Sequence, residues 1–114
     1  MIETERVLFE GRIGTQWVRV WLEPWASDIR LLSHEIGPGL ERFFGRDEIE
    51  TFLEVEAVHV PNLVAALRAE RSDADPPLVA IELLAARYRG DSTASSSLRT
   101  WLTAHGIPYR FTIV

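Results

Sequence analysis

The chain has 114 residues, of which 46% are hydrophobic and 25% are charged, and its formal net charge is −5. These proportions are typical of a soluble globular protein and exclude wholesale disorder, so we expect one domain over residues 1–114. The chain contains no cysteine, and all 12 of its basic residues are arginine. Thiol catalysis, disulfides, cysteine-ligated metals and lysine chemistry are therefore excluded.

Acidic charge is concentrated in the middle of the chain. Residues 41–60 contain six acids and two bases, a net charge of −4, whereas residues 61–114 contain five acids and six bases, a net charge of +1. An acidic surface is repelled by nucleic acids and by anionic membranes, and it attracts basic proteins. Because no apolar stretch is long enough to span a membrane and the first residues do not form a signal peptide, we expect a cytoplasmic location.

The first third of the chain predicts three β-strands. Residues 7–13 and 16–22 are rich in strand-forming residues and are separated by a Gly-Thr turn signal, which predicts a hairpin. Residues 23–28 include Pro24 and are expected to break the pairing, because proline cannot donate to a ladder. A third strand is predicted over residues 29–36.

The middle of the chain predicts a short helix and then a strand. The helix lies around residues 40–44 and is ended by Gly45, and the strand covers residues 49–60. Apolar and acidic side chains alternate along this strand, so they are expected on opposite faces of the sheet. The apolar set is Leu53, Val55 and Ala57, and the acidic set is Glu50, Glu54 and Glu56.

The last part of the chain predicts three helices and a final strand. Apolar spacing places the helices over residues 62–71, 77–89 and about 98–105, and the strand follows over residues 107–113. The final strand is expected to pair with the strand of residues 49–60, with Arg110 on the side of the glutamates. The order β-β-β-α-β-α-α-α-β predicts an α+β fold, with a mostly antiparallel sheet of about five strands and three helices packed on one face.

The acidic set is the first candidate site, and the preceding Asp47 and Glu48 extend it. Three carboxylates on one strand face predict a docking surface for a basic partner. The alternatives are an ordinary solvated sheet face with arginine neighbours, a cation site, and a general acid/base pair.

Trp17, Arg19 and Trp21 form the second candidate site, with Trp25 just beyond them. These residues alternate with Val18, Val20 and Leu22, and if the aliphatic residues face the core, the strand displays a Trp-Arg-Trp surface. Such a composition is enriched in the energetically important part of protein interfaces. The alternatives are tryptophans in the core, a cation–π pair, a homodimer contact and a small-ligand pocket.

Neither the histidines nor the serine-rich segment matches a catalytic or metal-binding motif. His34, His59 and His105 lack metal-ligand spacing, and residues 92–97 fit neither a nucleophile elbow nor a phosphate-binding loop. We therefore predict no catalytic residue, no metal and no cofactor.

Two parts of the sequence resemble known proteins. Residues 37–48, read as GPGLERFFGRDE, and residues 98–111, read as LRTWLTAHGIPYRF, are similar to a group of small uncharacterised bacterial proteins common in high-G+C genomes. This resemblance covers residues 37–114 and brings no activity with it. In size and charge, the chain also resembles an immunity protein, the cognate inhibitor of a secreted bacterial toxin.

The expected function is a non-enzymatic protein-interaction domain of the immunity type. It would bind a protein partner such as a basic toxin through the acidic strand face and the tryptophans. The alternatives are a homodimerising structural protein, and a small-ligand-binding domain or enzyme with a pocket between sheet and helices.

Overall fold

The structure is a computed structural model that describes residues 5–71 and 79–114. The described strands are β1 (Arg6–Ile13), β2 (Gln16–Trp25), β3 (Asp28–Ile36), β4 (Glu48–Val55) and β5 (Arg110–Ile113). The described helices are α1 (Glu41–Phe44), α2 (Val60–Ala69), α3 (Ala80–Tyr88) and α4 (Ala94–Ala104). The strands form one antiparallel sheet in the order β1-β2-β3-β4-β5, with α2, α3 and α4 between β4 and β5. The predicted α+β class is confirmed, with four described helices because the short α1 joins the three longer ones.

The hairpin of β2 and β3 is longer than the sequence predicts. Pairing continues up to Trp25 and Asp28, so the predicted break over residues 23–28 is wrong and only a two-residue turn remains. Pro24 is tolerated near the end of β2 because β1 offers no partner beyond Leu22. Among the described residues, the missing N–H therefore removes no hydrogen bond from a neighbouring strand on that side.

β4 ends at Val55, short of the predicted residue 60. The N–H of Ala57 donates to Oδ1 of Asp28 over 2.8 Å, and a 3₁₀ turn forms over Ala57–His59. α2 begins directly after this turn. Glu56 and Ala57 therefore lie outside the strand, and the predicted alternation of apolar and acidic residues holds only up to Val55.

The hydrophobic core lies between one face of the sheet and the helices. The sheet contributes Leu8, Val18, Val20, Leu22, Leu31, Leu53 and Val55. The helices contribute, among others, Leu63 and Leu67 from α2, Leu84 and Tyr88 from α3, and Leu98, Trp101 and Leu102 from α4. The predicted inward orientation of Leu53 and Val55 in β4 is therefore confirmed, and Val18, Val20 and Leu22 are the side chains of β2 that face the core, an orientation that the sequence leaves open.

The helix boundaries differ from the predicted ones by a few residues. α2 ends at Ala69, two residues before the predicted end at residue 71. α3 begins at Ala80, and the start predicted for it at residue 77 lies outside the described residues, as does the polar break predicted over residues 72–77. The predicted apolar stripe of α3 is confirmed, because its four members are all buried: Ile81, Leu84, Ala85 and Tyr88.

The final strand pairs with β4 as the sequence predicts. β5 begins at Arg110, later than the predicted residue 107, and runs antiparallel to β4. Arg110 stands opposite Glu54 in this pairing. The end of the chain is thereby returned to the sheet beside the acidic strand.

Candidate interaction surface

The second face of the sheet, here called the outer face, contributes no side chain to the core cluster. Register places on it Trp17, Arg19, Trp21, Glu23 and Trp25 from β2, and Arg30, Leu32, His34 and Ile36 from β3. The same register adds Glu48, Glu50, Phe52 and Glu54 from β4, and Arg110 from β5. Both candidate sites predicted from the sequence therefore meet on one surface.

An apolar row crosses the centre of the outer face. Trp21, Leu32 and Phe52 are cross-strand neighbours, and Leu32 is only 6% exposed although it lies outside the core cluster. At the ends of the face, Trp25 is 56% exposed and Ile36 is 40% exposed. The outer face therefore combines a shielded apolar centre with accessible apolar side chains.

Two arginines lie over aromatic rings of this face. The Arg19 guanidinium carbon is 4.3 Å from the Trp21 ring centroid, and the Arg30 guanidinium carbon is 4.2 Å from that of Trp25 and 5.1 Å from that of Phe52. Each such contact contributes about 0.5–1 kcal/mol at an exposed site. The Arg-on-indole pair and the exposed aromatic surface, which the sequence leaves as alternatives, are both present.

Glu54 is already matched by arginines of the same chain. Its carboxylate oxygen Oε2 lies 3.5 Å from Arg30 Nε and 3.5 Å from an Arg110 guanidinium nitrogen, and its side chain is 14% exposed. Arg30 also faces Glu23 at 3.9 Å. The formal charges of these two acids and two arginines sum to zero. Glu54 therefore offers little net charge to a partner.

The start of β4 carries a different charge pattern. Asp47, Glu48 and Glu50 form it, and it is here called the acidic corner. Glu48 Oε1 lies 2.6 Å from Nε2 of His34, whose ring meets Trp17 edge-on at 5.7 Å between ring centroids. Within the described residues, neither the Glu50 nor the Asp47 side chain forms an ion pair. Glu50 and Asp47 therefore carry negative charge without an ion pair, whereas Arg12 of β1, which stands opposite Trp17, carries positive charge that is likewise without an ion pair among the described residues.

Glu56 does not join this corner. It is exposed and precedes the 3₁₀ turn after β4, so it shares no strand face with Glu50 and Glu54. The predicted set of three carboxylates is thus divided into a neutralised residue, a residue of the acidic corner and a residue beyond the strand.

His34, Glu48 and Glu50 also form the cluster that most resembles a metal site among the described residues. One ring nitrogen and two carboxylate oxygens lie within 4.8 Å of one another. Such a set has the chemistry to ligate a divalent cation. Such proximity is also common among exposed acidic groups that bind no ion.

Sequence reasoning missed His34, Arg30 and Phe52 as members of this surface. No linear spacing connects them to the tryptophans or the glutamates, because they are brought together only by cross-strand register. The signal available was the alternation within residues 29–36, which places Arg30, Leu32 and His34 on one face.

The fourth tryptophan belongs to the core. Trp101 is 7% exposed, its indole N–H donates to Glu70 Oε2 over 3.0 Å, and its ring centroid lies 4.1 Å from that of His105. Trp101 is therefore separate from the three tryptophans of the outer face.

Comparison with known proteins finds no match, whether among protein-family models, curated proteins or solved structures. Within residues 5–71 and 79–114, none of the helices has the length and apolar character needed to cross a membrane. The geometry of the chain itself is therefore the basis for a functional argument.

Proposed function

We propose that the protein is a non-enzymatic interaction domain that binds a basic protein through its outer face. One observation carries this proposal: the acidic corner adjoins the His34 and Trp17 rings and the accessible apolar side chains, while Glu23 and Glu54 on the same face are paired with arginines. A partner with a cationic group beside an apolar patch would complement this arrangement.

The two features have separate physical roles in this proposal. Unpaired carboxylates attract a basic partner over several ångströms and raise the association rate, an effect that salt screens. Tryptophans supply large apolar area at little entropic cost and therefore slow dissociation. Trp17, Trp21 and Trp25 provide that area at three positions along β2.

A toxin-inhibiting role of the immunity type is the more specific form of this proposal. It is supported by the small size of the chain, its net charge of −5 and the position of the unpaired acids beside an apolar surface. A gene for a secreted toxin adjacent to the coding sequence would support it, whereas a biosynthetic operon would favour small-ligand binding.

The proposal is tested by NMR titration of the ¹⁵N-labelled protein with two peptides of alternating charged and leucine residues, one with arginine and one with glutamate. We expect the arginine peptide to shift the indole N–H signals of Trp17, Trp21 and Trp25. The Trp101 signal is the internal control, because its indole is buried and bonded to Glu70. Binding of both peptides alike, or shifts at Trp101 alone, would contradict the proposal.

Charge variants separate the acidic corner from the remainder of the chain. The double variant Glu48→Gln, Glu50→Gln is expected to weaken binding of the arginine peptide about tenfold and to flatten its salt dependence. Glu56→Gln is the matched control, because it removes one carboxylate that lies beyond β4. Equal effects of Glu50→Gln and Glu56→Gln would reject the acidic corner as the contact. Light scattering over a concentration series shows whether a second copy occupies the face instead.

A further inference from the structure

A polar cavity of about 360 Å³ opens between the core face of the sheet and the start of α4. Its polar lining is Ser33, Glu35, Thr51, Ser92, Thr93, Ser95, Ser96 and Arg99, and its apolar lining is Phe44, Ile49, Phe111 and Ile113. The cavity lies on the helix side of the sheet, so it is distinct from the outer face. Its volume is within the range of small-molecule sites.

Three side chains that line this cavity each contain a buried polar atom without a hydrogen-bond partner among the described residues. These atoms are Thr51 Oγ1, Ser95 Oγ and Arg99 Nε. Only one further side-chain atom in the described part of the chain shares this condition, Arg30 Nε on the outer face. Buried polar groups are nearly always paired. These three side chains therefore hold hydrogen-bonding capacity at the cavity that the described residues do not use.

The cavity carries one charge of each sign. Arg99 is held over the ring of Phe111, with 3.9 Å between its guanidinium carbon and the ring centroid, and within the described residues it forms no ion pair. Glu35 extends from β3 into the lining and likewise has no ion-pair partner among the described side chains. A ligand with both an anionic and a cationic group would satisfy both residues.

The start of α4, on the helix side of the cavity, also attracts the anionic group of such a ligand. Ser95 and Ser96 lie in the first turn of α4, an 11-residue helix with no side-chain cap on its first N–H groups. A helix N-terminus carries partial positive charge and attracts carboxylates, as does the nearby guanidinium. On the sheet side of the cavity, the Glu35 carboxylate attracts the cationic group of the ligand.

We propose that this cavity binds a small zwitterion of the α-amino acid class with an apolar side chain. Its carboxylate would bind between Arg99 and the first turn of α4, and its ammonium group would face Glu35. The apolar lining, which includes Phe44 and Ile113, would receive the side chain. A simple anion would leave Glu35 unpaired, and a neutral sugar would leave both charges unpaired.

The test is an NMR titration of the ¹⁵N-labelled protein with L-leucine, L-isoleucine, L-methionine and L-phenylalanine, each at millimolar concentration. We expect at least one of them to shift the side-chain Nε–H signal of Arg99 and the backbone signals of Thr51 and Ser95, with the outer-face indole signals unmoved. N-acetyl-L-leucine lacks the ammonium group and L-leucinamide lacks the carboxylate, so each is expected to bind at least about tenfold more weakly than L-leucine.

Variants and competing ligands complete the test. Arg99→Gln and Glu35→Gln are each expected to weaken binding about tenfold, and Ser95→Ala, which changes no charge, is expected to weaken it by a smaller factor. Glu56→Gln, whose carboxylate does not line the cavity, is expected to leave it unchanged. Absence of binding by all four amino acids, equal binding of inorganic phosphate or D-glucose, or unchanged affinity in folded Arg99→Gln and Glu35→Gln would overturn the proposal. None of these outcomes affects the interaction proposed for the outer face.

Discussion

Ala26 is the one described residue other than glycine with a positive φ, at 56°. It occupies the two-residue turn between Trp25 and Asp28, where the tight hairpin requires a left-handed backbone. An L-residue with a Cβ is strained there by about 1–2 kcal/mol, and glycine avoids the strain. The extended pairing beyond Pro24 therefore comes at a local cost to stability.

We expect Ala26→Gly to raise the free energy of unfolding by up to about 1 kcal/mol, because relief of strain exceeds the added entropy of glycine in the unfolded chain. The measurement is equilibrium unfolding in urea. Ala65→Gly is the control of opposite sign, since Ala65 is exposed within α2 and glycine there lowers stability by about 1 kcal/mol. A loss of stability in Ala26→Gly would contradict the strained-turn interpretation.

Charged side chains also illustrate what sequence can and cannot predict at the residue scale. Alternation correctly predicted that Leu53 and Val55 of β4 face the core, because side-chain period two is a local property, but it left open which face of β2 does so. Whether the Glu54 carboxylate has an ion-pair partner depends on Arg30 and Arg110. These arginines lie beside it only when β3, β4 and β5 pair in this register. Neutralisation of a carboxylate is therefore a property of register, and composition does not reveal it.

At one end of the sheet, the backbone that follows β3 passes close to the start of β2. Gly37 is buried where the chain leaves β3 and passes the start of β2, and its N–H donates to the Asp47 carbonyl over 2.8 Å. A Cβ on Gly37 would lie 2.7 Å from Gln16 Cγ and 2.9 Å from Gln16 Cα. The backbone of Gln16 cannot withdraw without disturbing β2.

Gly37→Ala is therefore expected to lower the free energy of unfolding by about 1–3 kcal/mol through overpacking. Gly39→Ala is the matched control, because its Cβ would meet only the mobile side-chain end of Gln16, with the nearest contact at Nε2. Thermal or urea unfolding of both variants gives the comparison. Equal stability of the two variants would show that the contact with β2 is adjustable.

Element boundaries were the part of the fold that the sequence predicted least well. The sequence predicts a strand up to residue 60, yet β4 stops at Val55, and Asp28, 29 residues before Ala57, accepts the N–H of Ala57. Because this hydrogen bond joins residues that are far apart in the chain, no pattern in the neighbouring sequence predicts where β4 ends. The existence of the five strands, in contrast, follows from strand-forming composition, turn signals and periodicity, all of which are local in the sequence.

The two faces of the sheet give the whole molecule two chemically different surfaces. The outer face has a row of paired charges, arginines over tryptophan rings and an acidic corner, while the helix side contains the core and the polar cavity. Their separation means that a protein partner and a small ligand would not compete for the same residues. Loss of stability, in contrast, would affect both surfaces, since they share β3 and β4.

Tyr88 couples the stability of the whole fold to pH. It is 5% exposed in the core, and burial raises the pKa of its hydroxyl above the ordinary value of 10.0, although the neighbouring Arg87 opposes this shift. A tyrosine that ionises at lower pH in the unfolded chain than in the folded one stabilises the fold fully below pH 10.0 and loses that contribution as pH rises through its folded pKa. We therefore expect the free energy of unfolding to fall above about pH 10. Tyr88→Phe should flatten this decline in urea unfolding at several alkaline pH values, whereas Tyr109→Phe, at a partly buried position beside the core, should leave it in place. An identical decline in Tyr88→Phe and the parent protein would place the alkaline sensitivity in another group.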